Sequence, residues 1–181
     1  LSFGSWQGCR AAKPAGDLIP LVENGAPQAC IVAGPEDLIA ATSLQDFIKK
    51  ESGAVLEIVP PGKEAGRGER CKILVGTPPT NASLADALRK HGISLDPDSL
   101  TEEGYILRTL PVPGGHLILA AGTAKRGVFY SIGELKNFHL RKEPERLCAL
   151  RTDVREAPAF KYRWLWTWDW RMEWGGTEPG G

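Results

Sequence analysis

The stretch Gln28-Ala29-Cys30-Ile31-Val32-Ala33-Gly34-Pro35-Glu36-Asp37-Leu38 sets the architecture. Its first half is a short apolar run and reads as a buried strand. Gly34-Pro35 punctuates it. Pro35 suits the first helical position, where the N–H it lacks would have no intrahelical partner anyway. Glu36 and Asp37 place negative charge at the positive end of the helix to come. From there Leu38, Ile39, Leu44, Phe47 and Ile48 recur at helical spacing through Lys50. Lys49 and Lys50 suit the negative end, and Gly53 suits a C-terminal cap.

Working outward from this strand–helix unit, residues 54–59 read as a second strand, broken by Pro60-Pro61-Gly62. Residues 61–70 are polar and read as a surface loop. Residues 71–75 form a third strand, 82–90 a short helix that Gly92 stops, and 93–102 an irregular connection. Residues 104–110 and 116–121 predict a hairpin around Pro111–Gly115, with Tyr105, Leu107 and Thr109 on one side and Ile106, Arg108 and Leu110 on the other. A second long helix runs from Ala124 to about His139, with Val128, Phe129, Ile132 and Leu135 as its buried stripe. Residues 141–147 read as charged and exposed, and 148–154 as one more strand. Residues 1–15 read as irregular. The order β-α-β-β-α-β-β-α-β predicts an α/β fold of the α+β type, a mixed sheet with helices packed on it. A boundary is expected at about residue 155, dividing an α/β domain over 1–155 from a different segment over 156–181.

Composition narrows the function classes. Lys plus Arg and Asp plus Glu balance at 22 each over 181 residues. That gives no electrostatic reason to expect nucleic acid or an anionic membrane as partner. No apolar run approaches the roughly 20 residues of a membrane helix. No secretory signal opens the chain at Leu1, which leaves export open. Cys9, Cys30, Cys71 and Cys148 show no C-x-x-C pairing and no metal-ligand spacing. Cys30 and Cys71 sit in apolar runs and are expected as buried thiols, a disulfide remaining the alternative. The sequon Asn81-Ala82-Ser83 is read as chance. His91, His116 and His139 are scattered, Glu102-Glu103 reads as a solvated pair, and Gly122-Thr123 lacks the Lys-Ser/Thr signature of a phosphate loop. G-x-G-x-x-G and G-x-S-x-G are absent. Neither a cofactor nor a metal is expected.

Five of the six tryptophans lie between Trp164 and Trp174. In Tyr162-Arg163-Trp164-Leu165-Trp166-Thr167-Trp168-Asp169-Trp170 the aromatic residues recur at every second position. Strand alternation would place Tyr162, Trp164, Trp166, Trp168 and Trp170 on one face and Arg163, Leu165, Thr167, Asp169 and Arg171 on the other. Each indole buries about 150–250 Å² when covered, so the aromatic face demands a large partner. Polar groups on the inner side of a barrel strand often reach a ligand. A structural Arg and Asp at a domain interface is the plainer alternative.

Several motifs in fixed order carry a resemblance. Glu103-Gly104-Tyr105-Ile106-Leu107, then Leu117-Ile118-Leu119-Ala120-Ala121-Gly122, then Ala124-Lys125-Arg126-Gly127-Val128-Phe129-Tyr130-Ser131-Ile132 resemble the second, chitobiase-like domain of family 20 β-N-acetylhexosaminidases. They are also similar to the N-terminal domain of family 67 α-glucuronidases. Both families place such a domain ahead of a catalytic (β/α)8 barrel. Ala157-Pro158-Ala159-Phe160-Lys161-Tyr162-Arg163 is similar to the lead-in to the first barrel strand, and Arg163 through Asp169 resembles the R-x-L-x-x-W-D pattern of the glucuronidases more than the hexosaminidase pattern.

The resemblance implies an accessory domain followed by the first strand of a truncated barrel, with the chain's own downstream barrel and, through it, carbohydrate as partners. It implies a sugar-binding role for Arg163, whose guanidinium can hold two adjacent oxygens, and a place in the same pocket for Trp168 and Asp169. It also favours a secreted or periplasmic setting. Glycoside hydrolysis needs placed carboxyl groups. The hexosaminidases resembled carry an Asp-Glu pair late in the barrel, and this sequence has no Asp-Glu dipeptide. A full barrel takes about 250 residues, so catalysis is not expected of this chain alone. The rival readings are a stand-alone carbohydrate- or protein-binding module using the tryptophans, and a small α/β enzyme.

Overall fold

The computed structural model describes residues 18–64 and 68–157. The strand β3 (Ala29–Ala33) is buried at every position, as a parallel strand covered on both faces must be. It pairs in parallel with β4 (Ile58–Val59) on one side and β5 (Cys71–Gly76) on the other, and β5 pairs in parallel with β7 (Gly115–Gly122). The hairpin partner β6 (Tyr105–Val112) and then β10 (Asp153–Glu156) extend this sheet antiparallel, giving the order β10-β6-β7-β5-β3-β4. Ile31, Ile73 and Ile118 stand in register across three strands. Side-chain alternation then divides the core into two.

One face, with Ile31, Ile73, Val75, Ile118 and Leu107, packs against α1 (Leu38–Ser52) and α4 (Lys125–Glu134) through Ala40, Leu44, Ile48, Val128 and Ile132. The other, with Cys30, Val32, Leu74 and Leu119, packs against α2 (Ala82–Lys90) through Leu84, Ala87 and Leu88. A second, antiparallel sheet has the order β2-β1-β9-β8, from β1 (Leu18–Glu23), β2 (Ala26–Pro27), β8 (Leu140–Glu143) and β9 (Arg146–Leu150). Its Ile19, Leu21, Leu147 and Ala149 join the core of α1 and α4. The class is that expected: mixed sheet, helices packed on it.

The 3-10 turn Pro35–Asp37 leads into α1, and Gly53 closes it in the left-handed conformation, its N–H donating to Lys49 O at 2.8 Å. The helix α2 covers the expected residues.

Other expectations need correction. The strand β1 precedes the element expected to be first. Its Leu-Ile-Pro-Leu-Val-Glu is interrupted by Pro20, next to a register shift, and proline argues against a strand when read alone. The strand expected over 54–59 is only β4, at the sheet edge. The connection 93–102 contains the short α3 (Pro97–Leu100). The second long helix stops being regular at Glu134 and ends in a π-helical turn, Leu135–His139, while Phe129, assigned to its buried stripe, is exposed. Residues 141–147 belong to the β8–β9 hairpin, with Leu147 buried. The single strand expected over 148–154 is two: β9 and β10 lie in different sheets. Thr152 sits at the switch, accepting from Thr109 N at 2.8 Å and donating to Thr109 Oγ1 at 3.3 Å.

Candidate functional site

The chain leaves β3 for α1 on one face of the large sheet and leaves β5 for α2 on the other. The strand order therefore reverses between β3 and β5, and the carboxyl ends of strands at such a point are where open α/β sheets bind ligands. Three turns meet there, after β3, β5 and β7, each beginning with a glycine: Gly34, Gly76 and Gly122.

Asp37 is buried and its carboxylate accepts from Thr80 Oγ1. Thr80 Oγ1 also accepts from Thr77 N at 3.0 Å and lies 3.0 Å from Thr77 Oγ1. Asn81, fully buried, donates from Nδ2 to Val32 O at 2.9 Å and to Val75 O at 3.0 Å, and accepts from Leu84 N at 3.1 Å. One side chain thus ties the ends of β3 and β5 together while capping α2. The amide of the sequon is consumed in this brace.

Close approach accounts for two of the glycines. A methyl on Gly34 would run into the Thr80 carbonyl, and one on Gly76, at φ +142°, would meet the Asp37 carboxylate. Burial pushes the Asp37 pKa up, and Glu36 adds to that, while the Thr80 hydroxyl and Lys125 pull it down.

These groups face one another rather than solvent. Outside them lies a shallow depression lined by Glu36, Asp37, Ala40, Lys125, Val128 and Phe129 that encloses essentially no volume, against the roughly 300 Å³ of a small-molecule site. A larger cleft of about 400 Å³ lies between the end of α1 and the β8–β9 hairpin. Its charges are mixed and several pair with one another or with Glu23: Arg146 reaches Glu143 at 3.5 Å and Glu23 at 3.9 Å, and Lys142 reaches Glu51 at 3.9 Å. Among the described residues no three His, Cys, Asp or Glu side chains converge as a metal site, and no helix is long and apolar enough to cross a membrane.

The histidines stay apart. His139 Nε2 pairs with Glu134 at 3.0 Å, while burial and then Arg151 lower the His116 pKa. Thr123 donates to Thr101 O at 2.5 Å, holding the start of α4 against the loop before β6. Glu103, expected as solvated, pairs with Arg126 at 3.4 Å. Cys71 and Cys148 are buried thiols. Arg163, Trp168 and Asp169, the residues singled out in the sequence, lie outside the described residues, as does Cys9.

The brace of Asp37, Thr77, Thr80 and Asn81 went unnoticed in the sequence. Its only local signal was Asn81 standing one residue before a helix start. No curated protein matches the chain. Residues 24–135, more than half of the chain and spanning β2 through the first residue of the π-helical turn, match the family model described as the glycosyl hydrolase family 67 N-terminus. The chain therefore belongs to that family.

Proposed function

We propose that this is the non-catalytic accessory domain of an α-glucuronidase-like glycoside hydrolase, which braces a catalytic barrel begun by residues 156–181. Arg163, Trp168 and Asp169 then contribute to the sugar pocket, and carbohydrate is met only through the completed barrel. The single observation that carries this is the family match over residues 24–135. The inward-facing polar brace supports it. Hydrogen-bonding groups at the usual ligand position of an α/β sheet are spent on holding turns together, as suits a scaffold. The motif order shared with family 20 hexosaminidases supports the same place ahead of a barrel, in an enzyme exported to meet polysaccharide.

The test compares this chain with a polypeptide continued through the next few hundred codons of its gene, on aryl glucuronides and glucuronic-acid-bearing oligosaccharides. The chain alone should release nothing above background. The continued protein should hydrolyse the glucuronide, and Arg163→Ala should lower kcat/KM about 100-fold, roughly 3 kcal/mol of transition-state stabilisation. Turnover by the 181-residue chain itself would overturn the proposal.

A further inference from the structure

Asn81-Ala82-Ser83 is the one Asn-X-Ser/Thr triplet in the chain. A glycosylated asparagine normally stands on a surface loop, because the glycan is bulky. Asn81 is fully buried. Its Nδ2 donates to Val32 O at 2.9 Å and to Val75 O at 3.0 Å, which uses both amide hydrogens, and its Oδ1 accepts from Leu84 N at 3.1 Å. The backbone is held as well: Asn81 N donates to Thr77 O at 3.0 Å, and Asn81 O accepts from Ala85 N at 3.0 Å. Ser83, whose hydroxyl completes the triplet, lies in the first turn of α2, and its Oγ accepts from Gly62 N at 3.0 Å.

A substituent on Nδ2 replaces one of the two donated hydrogens and needs the space held by the ends of β3 and β5. Turning the side chain outward instead breaks all three of its hydrogen bonds, uncaps α2 and takes the Asn81 donor from the carbonyls of Val32 and Val75. The folded domain therefore offers no acceptor, and a modified chain cannot close the brace.

The nascent chain is different. The partners of Asn81 lie on β3, β5 and α2, and β5 is held in the sheet between β3 and β7. The strand β7 ends only at Gly122, so roughly seconds of synthesis separate release of the triplet from completion of the parallel core.

We propose that Asn81 is a conditional modification site, open to N-glycosylation only before β3, β5 and α2 dock, and blocking their docking once it is glycosylated. The reaction joins Nδ2 to the anomeric carbon of an oligosaccharide carried on a lipid diphosphate. The amide gives up one proton and the lipid diphosphate leaves. Folding and glycosylation compete for one amide. This goes beyond the accessory role proposed above and stands or falls separately from any glycosidase activity.

The experiment translates the full 181-residue chain behind a cleavable secretory leader, with microsomes that hold the transferase and its donor. Part of the product should carry a glycan removable by a peptide N-glycosidase. Limited proteolysis should digest that part at least roughly tenfold faster than the unglycosylated part from the same lumen. Ser83→Ala keeps Asn81 and gives up only the exposed bond to Gly62. It should abolish the glycan and leave the whole product in the resistant form, as resistant as parent and variant made without microsomes. The purified folded chain, given transferase and donor, should take up nothing. A glycosylated chain as resistant as the unmodified one would overturn the proposal, as would transfer onto the folded protein. Phe3→Asn, which adds a second triplet with Gly4 and Ser5, controls for delivery to the transferase. It should yield some doubly glycosylated product, and a single glycan that persists when Ser83→Ala is added would show that Asn81 is never an acceptor and sink the idea.

Discussion

Asp37 shows how one residue can be committed to structure in a place where a ligand group is usual. Its carboxylate is buried against Thr80 and its pKa is raised, chiefly by desolvation. The native state therefore holds this proton more tightly than the unfolded chain. The stability this group contributes is complete below the ordinary carboxylate range and is lost as pH rises through the raised native value. Asp37→Asn keeps a hydrogen-bonding partner for Thr80 and abolishes the titration. Denaturant unfolding measured from pH 4 to pH 8 should show the parent losing stability relative to Asp37→Asn as pH increases. A gap that widens toward acid pH, with the parent the weaker, would contradict this.

At the scale of elements, much of the fold was legible and the exceptions have identifiable causes. The β3–α1 unit carried its own punctuation in Gly34-Pro35, its charge bias and its closing Gly53. The β6–β7 hairpin showed its turn around Pro111–Gly115; the ladder runs from Tyr105–Gly122 to Val112–Gly115, which narrows the turn to Pro113-Gly114. The strands β1 and β9 were missed or misassigned because each depends on the other. Leu18 pairs with Leu150 and Glu23 with Arg146, contacts between opposite ends of the domain that no local window contains. The brace around Asn81 was hidden for the same reason: its acceptors, Val32 O and Val75 O, come from two different strands. The candidate residues Arg163 and Asp169 came from strand alternation and motif likeness together, Trp168 from motif likeness, and all three lie outside the described residues.

Packing of α4 gives an element-scale prediction. Gly127 sits against the Gly104 carbonyl and Gly122. Alanine favours a helix over glycine by about 1 kcal/mol, but here its methyl would strike backbone that cannot rotate away. Gly127→Ala should destabilise by about 2 kcal/mol, read as a lowered denaturation midpoint with an unchanged slope. A stabilised variant would mean that helix and hairpin are further apart than described.

On the scale of the whole molecule, two cores on opposite faces of one sheet leave little room for solvent to reach the interior. Burial, with Cys30 nearby, pushes the Cys71 thiol up to about 12, and burial also raises that of Cys148. The thiolate is the reactive form, so these groups should be inert while the domain is folded. In a Cys9→Ser background, a chromogenic thiol reagent at pH 8 should find essentially no reactive group in the native protein and three after guanidinium is added. Rapid native labelling of Cys71 would show that the sheet opens far more readily than its packing implies.

The pairing of Leu18 with Leu150 also bears on how the domain is made. A ribosome releases the first strand of the small sheet long before β9 exists, so β1 must wait with only the two-residue β2 beside it until β9 has emerged. The parallel core of β3, β5 and β7 can assemble in the interval, and the small sheet closes over it last. Nascent chains halted shortly before residue 146 should therefore carry an open flank, the stage of synthesis at which a chaperone has most to protect.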